Sequence, residues 1–474
     1  MATATAHGVC LLQWHYMSDI LFQYEKVNPT SWAYLSSLLM LALFFKFNRV
    51  FSVRNLDLFL LILIAPGLLL VQFSVENEGV RTALALQMQK LGFVWLFAVG
   101  ALIMVRLLAD NAMVRRPLLE PNLNAAGLSF LASSLLFFLM TNVVTGPVTP
   151  ADTTPALPAA EIKAEQENGE PTDTFETEGP GYWLLYLMPR ISTQTVIAQS
   201  DETPPENAAE REEQLQHVGE VTARVMAILS HVLIVVGIVL VGAWHFDNLT
   251  AGIAAATIYL LVPYTALRTG SVEHCLPASL LVWAVVLYRR PLAAGLLIGL
   301  ASGTIYYPIF LLPLWCSFYW ERGLKRFLTG VLIAIGALVL TLFLTTENVH
   351  DSIEHLMQMF GARLPKRENL QGIWRDGFWN PLYRLPILMG FLVLAISFVA
   401  WPPRKHLGTL ISCTAALMVG AQFWHAHEGG IYVAWYLPLL LLTIHRPNLE
   451  DRVALATVSE GWWAARRKAR AAAD

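Results

Sequence analysis

The residues Ser271-Val-Glu-His-Cys-Leu-Pro277 set a carboxylate beside an imidazole between two apolar runs. Ionisable groups next to a lipid-like wall are costly, so they serve a pair, a path or a site. Glu273 can take a proton from a hydroxyl as a general base, and His274 can bind hydroxyls or steady a phosphate. Arg268 either pairs with Glu273 at a helix end, which is structural, or clamps an anion with its planar fork. Three further stretches carry such groups. One is "LLQWHYMSDILFQYEK", with His15, Asp19 and Glu25. Another is the long loop from Glu347 to Arg384, with Arg363, Asn369, Arg375 and Asp376. The last is "FWHAHEGGIY", with His425, His427 and Glu428.

Each stretch also has a plain structural reading. Leu11, Leu12, Met17, Ile20 and Leu21 can form an interfacial helix on which Asp19 is merely wetted. His425 and His427 at i, i+2 face different sides of a helix, so a shared metal needs a turn, which Gly429 and Gly430 allow. The sequence predicts no resident cofactor, with a divalent cation at those histidines as the one exception left open. No GxxxxGK[ST] loop is present, so this chain does not drive transport with ATP.

These groups must be held by an unusual scaffold. The 474 residues are 55% hydrophobic and only 14% charged, against about 25% charged in ordinary soluble domains. The apolar residues come in blocks of bilayer-crossing length. They predict an all-α, polytopic membrane protein with spans near Ser31–Phe45, Leu56–Phe73, Leu91–Leu108, Ala125–Val144, Val221–Trp244, Leu249–Leu267, Leu276–Tyr288, Leu292–Tyr307, Ile309–Trp320, Phe327–Thr345, Leu385–Trp401, Leu407–Phe423 and Ile431–Ile444. That makes about thirteen, with one broken span at Pro308 and Pro313 as the alternative. A net charge of −3 with no basic stripe argues against nucleic acid. Cys10, Cys275, Cys316 and Cys413 lack CxxC spacing and read as small core residues. The N-terminus shows no removable signal peptide.

Lys and Arg cluster in alternate loops: Lys46 to Arg54, Arg106 to Arg116, Arg289–Arg290, Arg322 to Arg326, Arg404, and the tail from Arg446 to Arg470. By the positive-inside rule these loops and the C-terminus are cytoplasmic, in a plasma (inner) membrane. The N-terminus and the four polar groups then face outward. The loop Gly146–Glu220 holds fifteen acidic residues against three basic ones and is too polar to order itself. Within it, "GYWLLYLMP" is too short to span and reads as an interfacial segment anchored by Trp183 and Tyr186. The expected organisation is an outer interfacial segment (1–30), a four-helix block (31–145), an acidic extracytoplasmic loop (146–220), a second membrane block (221–446, with outer loop 346–384) and a basic tail (447–474). Gly295, Gly299 and Gly303 recur as in close helix packing. His231 is the main polar residue expected at mid-span.

The stretch "EHCLPASLLVWAVVLYRRPLAAGLLIGLASGTIYYPIFLLPLW" resembles the core of polytopic GT-C glycosyltransferases: an outer loop, a span, a basic turn, an "AGxLxGLA" helix and then a lysine- or tyrosine-x-proline element. "RENLQGIWR" is similar to an outer-loop element of the polyprenyl-phosphomannose-dependent, family-87-type mannosyltransferases, and "HAHEGGIYVAWYLPLLLL" to the lead into their final spans. The resemblance covers about Leu249 to Arg446. It implies a GT-C-like fold and transfer of a sugar, mannose in that family, from a polyprenyl-phosphate donor to an acceptor at the outer face. The general base it implies is Asp19, with Glu273 second. Substrate-binding residues would be Arg268, His274, Tyr306, Asn369, Arg375, His425, His427 and Glu428. Two features depart from the pattern. The family's acidic residue follows its first span, whereas Asp19 precedes Ser31; and Tyr306 or Tyr307 replaces the lysine before Pro308. Two other readings remain. One is a non-catalytic scaffold of the same fold, binding a protein partner through the acidic loop. The other is a secondary transporter or flippase, favoured by Pro66, Pro308 and Pro386 in the spans.

Overall fold

The computed structural model describes residues 28–77, 79, 82–113, 120–148, 150–153, 180–200, 208–320, 322–345, 370–375, 377–403 and 405–447. All regular structure among them is helical: α1 (Pro29–Phe44), α2 (Val53–Ile62), α3 (Ile64–Glu76), α4 (Thr82–Ala109), α5 (Ala125–Thr145), α6 (Pro150–Thr153), α7 (Pro180–Ser200), α8 (Ala208–Trp244) and α9 (Leu249–Leu261). These are followed by α10 (Pro263–Leu267), α11 (Val272–Val286), α12 (Pro291–Thr304), α13 (Leu312–Tyr319), α14 (Leu324–Thr345), α15 (Arg384–Ser397), α16 (Leu407–Gln422) and α17 (Leu437–His445), with short 3₁₀ turns between some of them. Local chemistry sets the starts. Asn28 accepts from the Thr30 and Ser31 amides with Pro29 at the first helical position, Asn124 caps α5, and Asn248 caps α9. Such caps satisfy amides that have no partner inside the helix.

Five helical segments among the described residues are long and apolar enough to cross a bilayer: Val53–Glu76, Thr82–Ala112, Ala125–Thr145, Gln214–Trp244 and Leu324–Thr341. Shorter apolar helices lie between them. The outermost helices turn bare apolar faces outward, as with Phe130 and Phe137 on α5, each 76% exposed. Lipid tails suit such faces where water would not. At the centre, every residue of α16 is buried, and so is nearly all of α9. A helix apolar all round belongs there. One apolar core runs from Met40 on α1 to Ile444 on α17, and it includes residues on both sides of the acidic loop.

Close approach depends on small residues. A Cβ at Gly295 on α12 would overlap the Phe327 carbonyl on α14, and one at Gly330 would overlap the Leu292 carbonyl. Without a strong hydrophobic drive between helices in lipid, such backbone contact is what holds a pair together. The segment containing "GYWLLYLMP" belongs to α7, a helix of 21 residues. Gly181 lies against the Gly303 backbone, and Tyr182 and Tyr186 are each 1% exposed. Tyr186 donates to the Asp152 carbonyl. Tyr186 thus faces the protein, where α7 docks on α8, α12 and α14.

Several polar groups inside the bundle are matched across helices. His231 bonds Tyr259 Oη at 2.9 Å and the Thr269 carbonyl at 3.0 Å. Asn55, fully buried, accepts from the Lys46 amide and donates to the carbonyls of Lys46, Arg49 and Val50. The largest device is ionic. Arg106 on α4 grips Asp57 on α2 at 2.6 and 2.9 Å and Asp110 at 3.1 Å. Arg446, just past α17, donates to the other Asp110 oxygen at 2.5 and 3.2 Å. Two carboxylates meet two guanidiniums with almost no exposure. Removing one partner strands a buried charge, so Asp110→Ala should lower unfolding stability in detergent by about 3–5 kcal/mol. A loss below about 1 kcal/mol, the scale of exposed pairs, would mean that the network does not clamp these helices.

Candidate functional site

The hairpin from α9 to α11 brings Glu273 and His274 to the end of the bundle opposite the Arg446 network. Val262 and Pro263 break the helix, α10 adds little more than one turn, and the chain reverses over Arg268 to Ser271. Ser271 leaves the first amides of α11 without a side-chain cap. Asp152 supplies one from across the fold: its Oδ1 accepts the Val272 amide at 2.8 Å. Trp435 then donates its indole N–H to the Glu273 carbonyl at 3.1 Å. Glu273 is thus fixed at its backbone from two sides.

His274 is 1% exposed, whereas the Glu273 side chain keeps about a quarter of its surface open (26%). Tyr264 Oη lies 2.5 Å from His274 Nδ1, and His274 Nε2 lies 3.3 Å from Glu273 Oε1 without the alignment of a hydrogen bond. Tyrosine, imidazole and carboxylate run in a line from the interior to the surface. Arg268 and His427 act on the carboxylate from farther away. The His274 ring stacks on Tyr432 at 4.6 Å, and Tyr432 stacks on Trp435 at 4.4 Å.

The second arm enters from the other chain segments. Tyr306 donates to Tyr307 Oη at 2.8 Å, and Tyr307 Oη lies 2.5 Å from His425 Nδ1. His425 makes ring contacts with Tyr432 and Trp435, which joins this arm to the first. Arg384 donates through Nε and Nη2 to the Trp424 carbonyl at 3.2 and 3.1 Å, and its charge also reaches Tyr306 and Tyr307. Burial holds the His425 pKa well below its usual value, and the His427 and Arg384 charges push the same way. His425 is therefore neutral in the fold.

The loops around this cluster interlock. Gln371 donates its amide to the Ala426 carbonyl at 3.0 Å. Gly372 takes φ +67°, and a Cβ there would come within 2.7 Å of the Glu428 Cα. Only glycine meets both demands. Glu428 itself adopts φ +49°, a strained state that persists when its surroundings over-determine it. Arg375 bonds Gln89 on α4 at 3.2 Å. Nearby, Trp374 Nε1, Gln422 Nε2 and Trp424 Nε1 are buried donors with no protein acceptor among the described residues.

Of the residues expected from sequence, Glu273, His274, Arg268, Tyr306, His425, His427 and Glu428 come to this one end. Arg375 reaches it through the Gly372 loop, anchored to α4 and not to the carboxylate. Asp19 and Asn369 lie outside the described residues, as do Glu25, Arg363 and Asp376. His425 and His427 hold ring centroids 6.0 Å apart, and His425 Nδ1 is already bonded to Tyr307. No group of three His, Cys, Asp or Glu side chains placed to hold a metal occurs among the described residues. The sequence reading missed Tyr264, Tyr432, Trp435, Arg384 and Asp152. Tyr264 carried a signal, since it stands in the same polar hairpin as Arg268 and His274. Asp152 carried none, being 120 residues from the amide it caps. No protein-family model, curated protein or solved structure matches the chain.

The buried, neutral His425 gives a measurable pH dependence. Its folded pKa is depressed, so the unfolded chain binds the extra proton below about pH 6.5. Stability then falls as pH drops from 6.5 toward 5, by up to about 1.4 kcal/mol per pH unit from this residue. His425→Gln should flatten the fall of the detergent unfolding midpoint over that range. An unchanged slope in the variant would mean that His425 is protonated in the fold.

Proposed function

We propose that this end of the bundle is the active site of a membrane glycosyltransferase of the GT-C kind, using a polyprenyl-phosphate-linked sugar. The observation that carries the proposal is the Glu273 carboxylate, about a quarter open, backed by His274 and Tyr264 and acted on by the Arg268 and His427 charges, while the adjoining loops and second arm hold three buried donors without protein acceptors among the described residues. Unpaired buried donors cost about 1–3 kcal/mol each, so a site that keeps several has a use for them. Hydroxyl-rich and phosphate-bearing ligands supply the acceptors these groups lack.

In this reading an acceptor hydroxyl gives its proton to the Glu273 carboxylate as its oxygen bonds to the sugar's anomeric carbon. The bond from that carbon to the phosphate oxygen breaks, and its electron pair stays on the lipid phosphate. The growing negative charge there needs a cation. The lysine expected before Pro308 is replaced by Tyr306 and Tyr307, but Arg384 puts a guanidinium beside both rings. Arg268 is the second candidate clamp, and Arg375 a third through its loop. Asp19 remains the alternative base. The full span count near thirteen, the outward orientation of this end and an inner-membrane location belong to the same proposal.

A non-catalytic scaffold of the same fold is the second reading. It is favoured by the tight ring packing: His274, Tyr307 and His425 are nearly closed off, and Tyr432 is stacked on both sides. The two readings part in one assay. With the protein in lipid and a polyprenyl-phospho-sugar donor, Glu273→Gln should slow sugar transfer by about 10²–10⁴-fold while donor binding persists. Full activity in Glu273→Gln, alongside loss in Asp19→Asn, moves the base to Asp19. No transfer by the wild-type chain leaves the scaffold.

A further inference from the structure

A cavity of about 1260 Å³ opens at the other end of α16, among α13, α15 and the turn around Arg322. It is distinct from the site above: the 16 residues of α16 separate the two ends by about 24 Å. A Cβ at Gly323 would meet Pro291, which sets this turn against the start of α12, next to the exposed Arg289 and Arg290.

The lining divides by chemistry. Pro313, Phe318 and Val399 form an apolar wall, and Trp320, 71% exposed, stands at the rim. An indole so placed suits a membrane–water boundary. Against this wall stand two cations. Arg322 is half-buried, and its side chain makes no hydrogen bond or ion pair among the described residues. Lys405 donates to the carbonyls of Val399 and Pro402 at 2.9 and 3.2 Å, which leaves one ammonium hydrogen. No carboxylate lines the cavity among the described residues. The volume exceeds the roughly 300–1,000 Å³ of ordinary small-molecule pockets.

We propose that this cavity binds an anionic glycerophospholipid. Its phosphate lies between Arg322 and Lys405, and its acyl chains follow the Pro313–Phe318–Val399 wall outward past Trp320. A guanidinium without a partner among the described residues is costly to hold half out of water, and a phosphate matches its fork bidentately. A soluble anion would leave the apolar wall unused. A neutral lipid would leave the guanidinium unmatched.

The test is native mass spectrometry of the full chain, released from bilayer discs holding equal amounts of phosphatidylglycerol and phosphatidylcholine. The wild type should retain phosphatidylglycerol selectively, and Arg322→Glu should lower that retention about fivefold. Arg322→Gln, the milder change, gives the same direction if the reversed charge disturbs folding. Arg289→Glu, on the nearby exposed basic surface, should leave retention unchanged. An equal loss in Arg289→Glu would reveal diffuse attraction to basic surface and overturn the proposal. So would undiminished retention in both Arg322 variants. Binding of inorganic phosphate that depends on Arg322, without preference between the two lipids, would overturn the lipid assignment.

Discussion

The buried ionic network of Asp57, Arg106, Asp110 and Arg446 fixes the geometry on which the rest depends. It joins α2, α4 and the end of α17 at points far apart in the chain. Neither carboxylate can find water there, and neither arginine can leave without stranding a charge. The network acts at one end of the bundle, yet its effect reaches the other. α17 is short, and the turn leading into it holds Tyr432 and Trp435. Trp435 is the indole that grips the Glu273 carbonyl. The same clamp holds α4, whose opposite half carries the Gln89 partner of Arg375 and whose middle sets the Phe97 ring against Trp374.

Central helices that are apolar all round cannot be oriented by amphipathicity. Every residue of α16 is buried, so its rotation and depth are set at its ends. At one end His406 and Thr409 cap each other reciprocally, and at the other Gln422 accepts the Gly430 amide. Polar groups thus decide register inside a bundle that apolar packing alone would leave free to slide. The lipid environment sharpens this rule, because an unsatisfied polar group has no solvent to fall back on. The two ends then differ in chemistry. One gathers histidines, tyrosines and a partly open carboxylate, and the other gathers cations that no carboxylate opposes among the described residues around an apolar hollow.

The helices were largely legible in the sequence because lipid imposes a length and a composition on each one. The expected runs Ala125–Val144 and Leu407–Phe423 fall within a residue of α5 and α16. The Gly295 spacing correctly pointed to close helix contact, since only a missing Cβ allows a backbone to approach a carbonyl. Less legible was α7, whose apolar stretch looked too short to span. Its helix continues through Pro189 into polar residues that hydropathy does not count. Charges were read as outward-facing or functional in proportion to their rarity. Asp57 escaped notice because its partner is 49 residues away, and the network around Asp110, which also pairs with Arg106 one turn back, because Arg446 is 336 residues away.

The sequence by itself determined that this is an all-helical chain with spans made for a membrane, and it singled out Glu273, His274, His425 and His427 as groups too costly to sit there idle. Composition and local periodicity carry that information, because each span answers to the bilayer separately. Only the tertiary structure decided that Tyr264, His274 and Glu273 stand in line, that Tyr307 meets His425, and that Asp152 caps α11. Those are pairings between residues up to 120 positions apart. They are set by how whole helices rotate and dock, which no local pattern encodes.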